Sequence, residues 1–184
     1  MQVRRVVTGR GPAGTSIVTG VGEPPRSHAY ERVPGLTEAL VWATDPAGAP
    51  AGGQRSSDDD PTPSVRSYVP AAGGTRLIWL QLPPDAAFAD PAFDPVAARA
   101  EQLDASPGLA GRFELDAPGM HATPTVDYAI VVDGELWLEL DDGQETPLRP
   151  GDVVVQRGTR HAWRNHGTAP ATLAVVLIGV DEQG

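Results

Sequence analysis

From residue 112 to residue 180 apolar and polar side chains alternate with a period of two, and the alternation is cut at short intervals by turn residues. Alternation of this kind is the mark of strands with one covered and one open face. It predicts strands over 112–115, 126–132, 135–140, 152–156, 161–165 and 171–180. The breaks are Asp133-Gly134, Asp141-Asp142-Gly143 and Arg149-Pro150-Gly151, which supply the glycine and aspartate that short hairpins use. Strands following strands in this way predict an antiparallel barrel or sandwich rather than alternating strands and helices.

The first part of the chain is less regular. Short β-like runs are expected at 4–8, 16–21 and 39–44, the last containing Trp42, with glycine and proline between them. Residues 45–63 are rich in Pro, Gly, Ala and Ser and carry Asp58-Asp59-Asp60, which reads as a solvated loop. Further strands are expected at 64–69 and 75–82. In the second, Arg76, Ile78, Leu80 and Leu82 share one face and Leu77 and Trp79 the other, so both faces are covered. Asp94-Pro95 is a helix start, an N-cap residue followed by proline, and helix formers continue over 96–103. His28, between two prolines and a tyrosine, reads as a surface loop histidine. No internal repeat is seen. The expectation is a single domain over 1–184, in which 1–112 (strands, loop and short helix) packs on a core formed by 113–180.

Composition narrows the chemistry. Of 184 residues none is cysteine, and all 14 basic residues are arginine, so disulfides, thiolate nucleophiles and lysine Schiff bases are excluded. A formal net charge of -10 with no basic patch argues against nucleic acid as a partner. The arginines near the N-terminus are followed by Gly-Pro-Ala-Gly rather than an apolar core, and no apolar run reaches membrane-spanning length. A cytoplasmic protein with a small-molecule substrate, bound to neither membrane nor nucleic acid, is expected.

Two segments carry the histidines of the alternating region. In the first, His121, Thr123, Thr125 and Asp127 share one parity, so all four can look into one cavity. In the second, His161, Trp163 and Asn165 share a parity. The two segments resemble the two motifs of the cupin superfamily. Its first motif is usually written H-x-H, three or four residues, E, six residues, G, and this chain has His121, Thr123, Asp127 and Gly134 at that spacing. Thr123 stands where the family usually has its second histidine, and Asp127 where it usually has glutamate. The second motif is matched by Gly151, Gly158, His161 and Asn165, without the usual proline and with a turn one residue shorter. The resemblance covers about residues 113–180. It implies an all-β fold, an antiparallel jelly-roll barrel with a central pocket, here with extra N-terminal strands and one short helix. It also implies a homodimer.

The chemistry then turns on His121, Asp127 and His161 as catalytic residues. Two imidazoles and a carboxylate form a ligand set that leaves open positions on one divalent metal ion, and iron, manganese, nickel or zinc would suit it. Thr123, Thr125, Gln156, Arg157 and Trp163 are expected to bind substrate, Arg157 by pairing with a carboxylate and Trp163 by stacking. Trp137 is a further candidate for the pocket wall, and Arg160 is read as part of a solvated turn. Three functions are compatible with this set. One is a metal-dependent enzyme acting on a small oxygenated or carboxylated molecule, as lyase, decarboxylase, isomerase or dioxygenase. Another is a metal-free dehydratase or epimerase with a histidine base. The third is a non-catalytic small-molecule binding module.

Overall fold

A computed structural model describes residues 3–46 and 60–181. Eleven strands lie in these segments: β1 (Arg5–Arg10), β2 (Ser16–Gly22), β3 (Arg26–Ala29), β4 (Thr37–Thr44), β5 (Thr75–Leu82), β6 (Thr125–Asp133), β7 (Leu136–Glu139), β8 (Glu145–Leu148), β9 (Val153–Arg157), β10 (Ala162–Arg164) and β11 (Ala171–Gly179). All pairings are antiparallel. A six-stranded sheet runs β3-β4-β5-β11-β6-β9, a three-stranded sheet runs β10-β7-β8, and β1 and β2 form a separate ribbon. This is an antiparallel β-barrel of two facing sheets, with added N-terminal strands and one α-helix, α1 (Pro95–Ala105). No helix among the described residues is long and apolar enough to cross a membrane.

The alternation read from the sequence decides which face closes the barrel. On β6 Thr125, Asp127, Ala129 and Val131 are buried, while Tyr128 and Ile130 are exposed. Val131 meets Leu173 and Ala171 of β11 and, from the smaller sheet, Leu136 and Leu148. That cluster joins the two sheets at one end. At the other end Leu40, Ala43, Ile78 and Leu177 are covered by Val65 and Tyr68 from the segment before β5. Gly134 joins β6 to β7 at φ +77, and a Cβ there would lie 2.7 Å from the Cα of Ala171. Only glycine meets both conditions without strain.

The helix starts as its N-cap predicts: the Asp94 carboxylate accepts from the Val96 and Ala97 amides at 3.0 Å. It then packs Ala98 onto Tyr30, Val33 and Leu36. Glu101 on the same helix accepts from the Glu31 and Arg32 amides at 2.7 and 2.8 Å and pairs with His28 at 3.0 Å. His28 is therefore a strand residue tied to α1, not a free loop side chain.

Two expected strands are absent. Over 64–69 the carbonyls of Val65 and Ser67 accept from the side chains of Arg26 and Arg76, and the Tyr68 amide bonds Pro107. With its backbone so engaged, the segment packs Val65 and Tyr68 inward without joining a sheet. Over 112–115 the chain makes a 3₁₀ turn (Ala110–Arg112) and then Glu114 bonds Met120. Conversely β3 and β8 were not expected, because Arg-Ser-His-Ala and Glu-Thr-Pro-Leu are short and largely polar. The loop expected over 45–63 lies mostly outside the described residues. At its end Asp60 pairs with Arg5 of β1 and accepts from Thr62.

Candidate active site

His121 and His161 are held by their backbones before their side chains do anything. Each donates its amide to the other's carbonyl, at 3.0 and 2.9 Å, an isolated bridge linking the segment before β6 to the one before β10. The rings end up with centroids 4.3 Å apart. Nδ1 of His121 lies 3.1 Å from the Gly119 carbonyl and Nδ1 of His161 2.9 Å from the Thr159 carbonyl. A carbonyl can only accept, so both Nδ1 atoms carry hydrogen, and each neutral ring presents Nε2 as a lone pair. Phe113 packs on the His121 ring at 4.6 Å and Trp163 sets its edge against His161 at 5.5 Å.

This environment keeps both rings uncharged. Burial pushes His161 down to about 4, helped by the neighbouring His121, whose charge would add to its own. Burial also lowers His121, against the opposing pull of the Gly119 carbonyl and Glu114. Asp127, buried on β6, moves the other way, up to about 6, because burial penalises its anion more than the Thr125 hydroxyl relieves it. Its Oδ1 is buried with no hydrogen-bond partner. A buried carboxyl oxygen left in that state is costly and is a natural place for a ligand atom to bind.

His121, Thr123, Asp127, His161 and Trp163 all line one cavity of about 690 Å³ between the sheets. Its volume is that of a small-molecule site. Most of the remaining wall is apolar, from Ile78, Leu80, Val175, Leu177 and Phe113 among others.

The other expected residues fall elsewhere. Thr125 is buried beside the site and shares a 2.7 Å hydroxyl contact with Thr123, but it is not in the cavity wall. Gln156 faces Asp127 across β6 and β9, yet its Oε1 accepts from Thr159 at 2.6 Å and it too lies behind the wall. Arg157 pairs with Val126 on the outward parity of the sheet and is exposed, so it is not positioned to meet a carboxylate inside. Trp137 packs against His166 instead, outside the cavity wall. Arg160 is no free turn residue: Glu114 takes its Nε and Nη2 at 2.7 and 2.6 Å, and Asp141 its Nη1 at 2.9 Å. Asn165 does reach the cavity wall, but its side chain is spent on structure, donating to Leu82 and Ala169 and accepting from Gly167.

Among the cavity-wall residues that were not read from the sequence are Tyr30, Glu38 and Ser106. Glu38 carried a signal. It precedes the expected strand at 39–44 by one residue and has the parity of inward-facing Leu40, a carboxylate on an apolar face.

The metal site expected from the sequence needs a third protein ligand beside the two imidazoles. Among the described residues no group of three His, Asp or Glu side chains is arranged to hold one. The histidine pair suits a metal, with each Nδ1–H fixed by a carbonyl as in a supported ligand, but the expected set with Asp127 is not assembled.

Residues 113–177 match the family model described as "Cupin domain". Phomopsin biosynthesis cluster protein C' of Diaporthe leptostromiformis is 56% identical over 46 residues, 25% of this chain and 24% of that protein. The cupin-domain-containing oxidoreductase fogC of Aspergillus ruber is 35% identical over 86 residues, 45% of this chain and 39% of that protein. The chain thus spans well under half the length of these curated relatives. An RmlC-like cupin family protein with a double-stranded β-helix fold from Methanocaldococcus jannaschii aligns with 60% of this chain and 74% of its own, at 14% identity and a TM-score of 0.38.

Proposed function

We propose that this chain, whose residues 113–177 match the cupin domain model, is an enzyme moving protons on a small molecule held in the barrel cavity. The observation that carries this reading is the set of proton sites in that cavity: two touching, neutral imidazoles with free Nε2 lone pairs, and a carboxyl that titrates near 6 with one oxygen unpartnered.

Nε2 of His121 or His161 accepts a proton from an acidic C–H or O–H of the substrate, and the electron pair of that bond stays on the substrate. The second ring limits the pair to one added proton, since two imidazolium ions in contact repel strongly. Asp127 in its acid form hands a proton to the substrate atom on which charge collects. Return of the proton from imidazole to a different carbon, with Asp127 taking back the proton it lent, completes an isomerisation; departure of a hydroxyl group as water with the Asp127 proton, followed by proton transfer from imidazolium to the Asp127 carboxylate, completes a dehydration.

The metal-dependent reading is favoured by one observation, the pair of carbonyl-fixed imidazoles, and by the naming of several relatives as cupin-domain-containing oxidoreductases. When bound, a metal would supply a Lewis acid or a site for redox chemistry. His121 and His161 would be its protein ligands.

One experiment separates the two. Chelator-treated protein is incubated in D₂O with a panel of small ketones, aldehydes and hydroxy acids, and loss of the acidic C–H signal is followed by NMR. Exchange that survives chelation and slows by about 100-fold or more in His121→Ala and His161→Ala supports proton transfer by the pair. Exchange seen only after reconstitution with iron, manganese, nickel or zinc, with stoichiometric metal lost in His161→Ala, overturns it in favour of the metal.

A further inference from the structure

The cavity has a second polar end that the proton chemistry does not use. Glu38 of β4 is 8% exposed, and with Tyr30 and Ser106 it lines the same cavity as the histidines. The Ser106 hydroxyl, at the C-terminal end of α1, donates to the Glu38 carboxylate, lying 2.8 and 2.9 Å from its two oxygens. That leaves Ser106 as acceptor for the Tyr30 hydroxyl at 2.9 Å. The Tyr30 and Tyr68 hydroxyls also interact with this carboxyl, and with about four acceptor positions it keeps room for a further donor.

The register places this cluster far from the imidazoles. Glu38 pairs with Leu80, Leu80 with Leu173, and Leu173 with Val131, whereas Asp127 pairs with Leu177. Glu38 is thus three strands across the inner face from β6 and level with a position four residues along from Asp127. Three strand spacings alone amount to roughly 14 Å. The inner face between them is apolar, formed by Ile78, Leu80, Val175 and Leu177.

A buried carboxyl is destabilising, and the nearest cations, Arg26 and His28, are each engaged elsewhere. Its hydrogen-bond partners are hydroxyls. Arg26 of the neighbouring strand turns to the Val65 carbonyl at 2.5 Å and lies over the Tyr68 ring at 4.9 Å. His28, opposite Glu38 in the register, is bound to Glu101. These two basic residues beside the cluster make it a poor seat for an ammonium group and leave a neutral donor as the better match.

We propose that Glu38, Ser106 and Tyr30 form a binding subsite for the hydroxyl or phenol end of an elongated, apolar-bodied substrate whose opposite end lies against His121, His161 and Asp127. The assignment of the reacting end rests on the proton-transfer reading above. The subsite itself fixes substrate class: length enough to cross the sheet, an apolar middle, and a hydrogen-bond donor at the end away from the chemistry.

The test uses 6-(4-hydroxyphenyl)hexan-2-one and its 4-methoxy ether, which share a ketone end and differ only in the donor. Dissociation constants are measured by calorimetry for the wild type, Glu38→Leu and Glu38→Gln, and deuterium exchange next to the ketone is followed in parallel. The phenol is expected to bind about tenfold more tightly than the ether to the wild type, as one well-formed hydrogen bond to a carboxyl oxygen implies. In Glu38→Leu the two should bind within about twofold of each other, with Glu38→Gln, an isosteric change that keeps one acceptor oxygen, in between. Ser106→Ala should retain the preference, since it leaves the carboxylate in place. Equal binding of the two probes to the wild type, binding of neither, or a preference that survives in Glu38→Leu overturns the subsite. A Glu38-dependent preference without any exchange would uphold the subsite while counting against the proton-transfer reading, so the two can fail separately.

Discussion

Asp127 and His161 respond to acid in opposite senses over nearly the same range. The folded state holds the Asp127 proton up to about 6 against an ordinary 3.8, so it binds more protons than the unfolded chain between those values, and this contribution to stability falls as pH rises through that window. For His161 the ordinary value of 6.5 drops to about 4, so the unfolded chain binds more protons there, and stability is lost as pH falls from 6.5 to 4. Each shift corresponds to about 3 kcal/mol, so the two largely cancel in the wild type. Substitution should expose them. Asp127→Asn is expected to stabilise the protein by about 1–3 kcal/mol at pH 7.5, with the gain gone near pH 4. His161→Gln should show its titration advantage only at the acid end. Urea unfolding of the three proteins at pH 7.5 and pH 4.5 in chelator reads both; parallel pH profiles for all three would mean that these groups are not held as described. The histidine pair and Asp127 were legible because motif spacing and strand parity are local properties. The fate of Arg160 was not, since the carboxylates that claim it lie 46 and 19 residues away and nothing in its own neighbourhood announces them.

Elements were readable where alternation was long and failed where it was short. Strand β6 shows four inward positions in succession, and its register against β11 follows from burying that face. By contrast residues 64–69 have β-like composition, but their carbonyls are taken by arginine side chains from β3 and β5, a tertiary competition that propensity does not include. Glu38 was overlooked for a related reason: a charged residue at a strand end reads as the start of a turn until the partner strand shows it paired with Leu80. The β6–β7 junction offers a sharp test at this scale. Gly134→Ala puts a side chain at positive φ and drives its Cβ into the backbone of Ala171, which cannot yield without moving β11. A loss of about 2 kcal/mol or more is expected in chemical denaturation. A loss below about 0.5 kcal/mol would show that the junction relaxes freely.

Apart from the β1–β2 ribbon, the described residues form two sheets that close on each other through an apolar cluster near Val131 and Leu136, with α1 packed against Tyr30, Val33 and Leu36. That general plan followed from the chain of alternating strands. The size of the interior did not, because it depends on how β4, β5 and α1 are set against the core, and those contacts join residues 30–45 to residues 98–110. The space of about 690 Å³ left between the sheets has an energetic meaning of its own. Side chains around it lack neighbours that close packing would provide, and whatever enters supplies them only while the chain is folded. Occupancy and folding are therefore linked by mass action: a ligand at a hundred times its dissociation constant adds about 2.7 kcal/mol, which for a chain of this length raises the melting temperature by roughly 5–10 °C. A melting curve recorded against a compound library thus becomes an assay that requires no knowledge of the reaction, and the barrel acts as a thermometer for its own substrate.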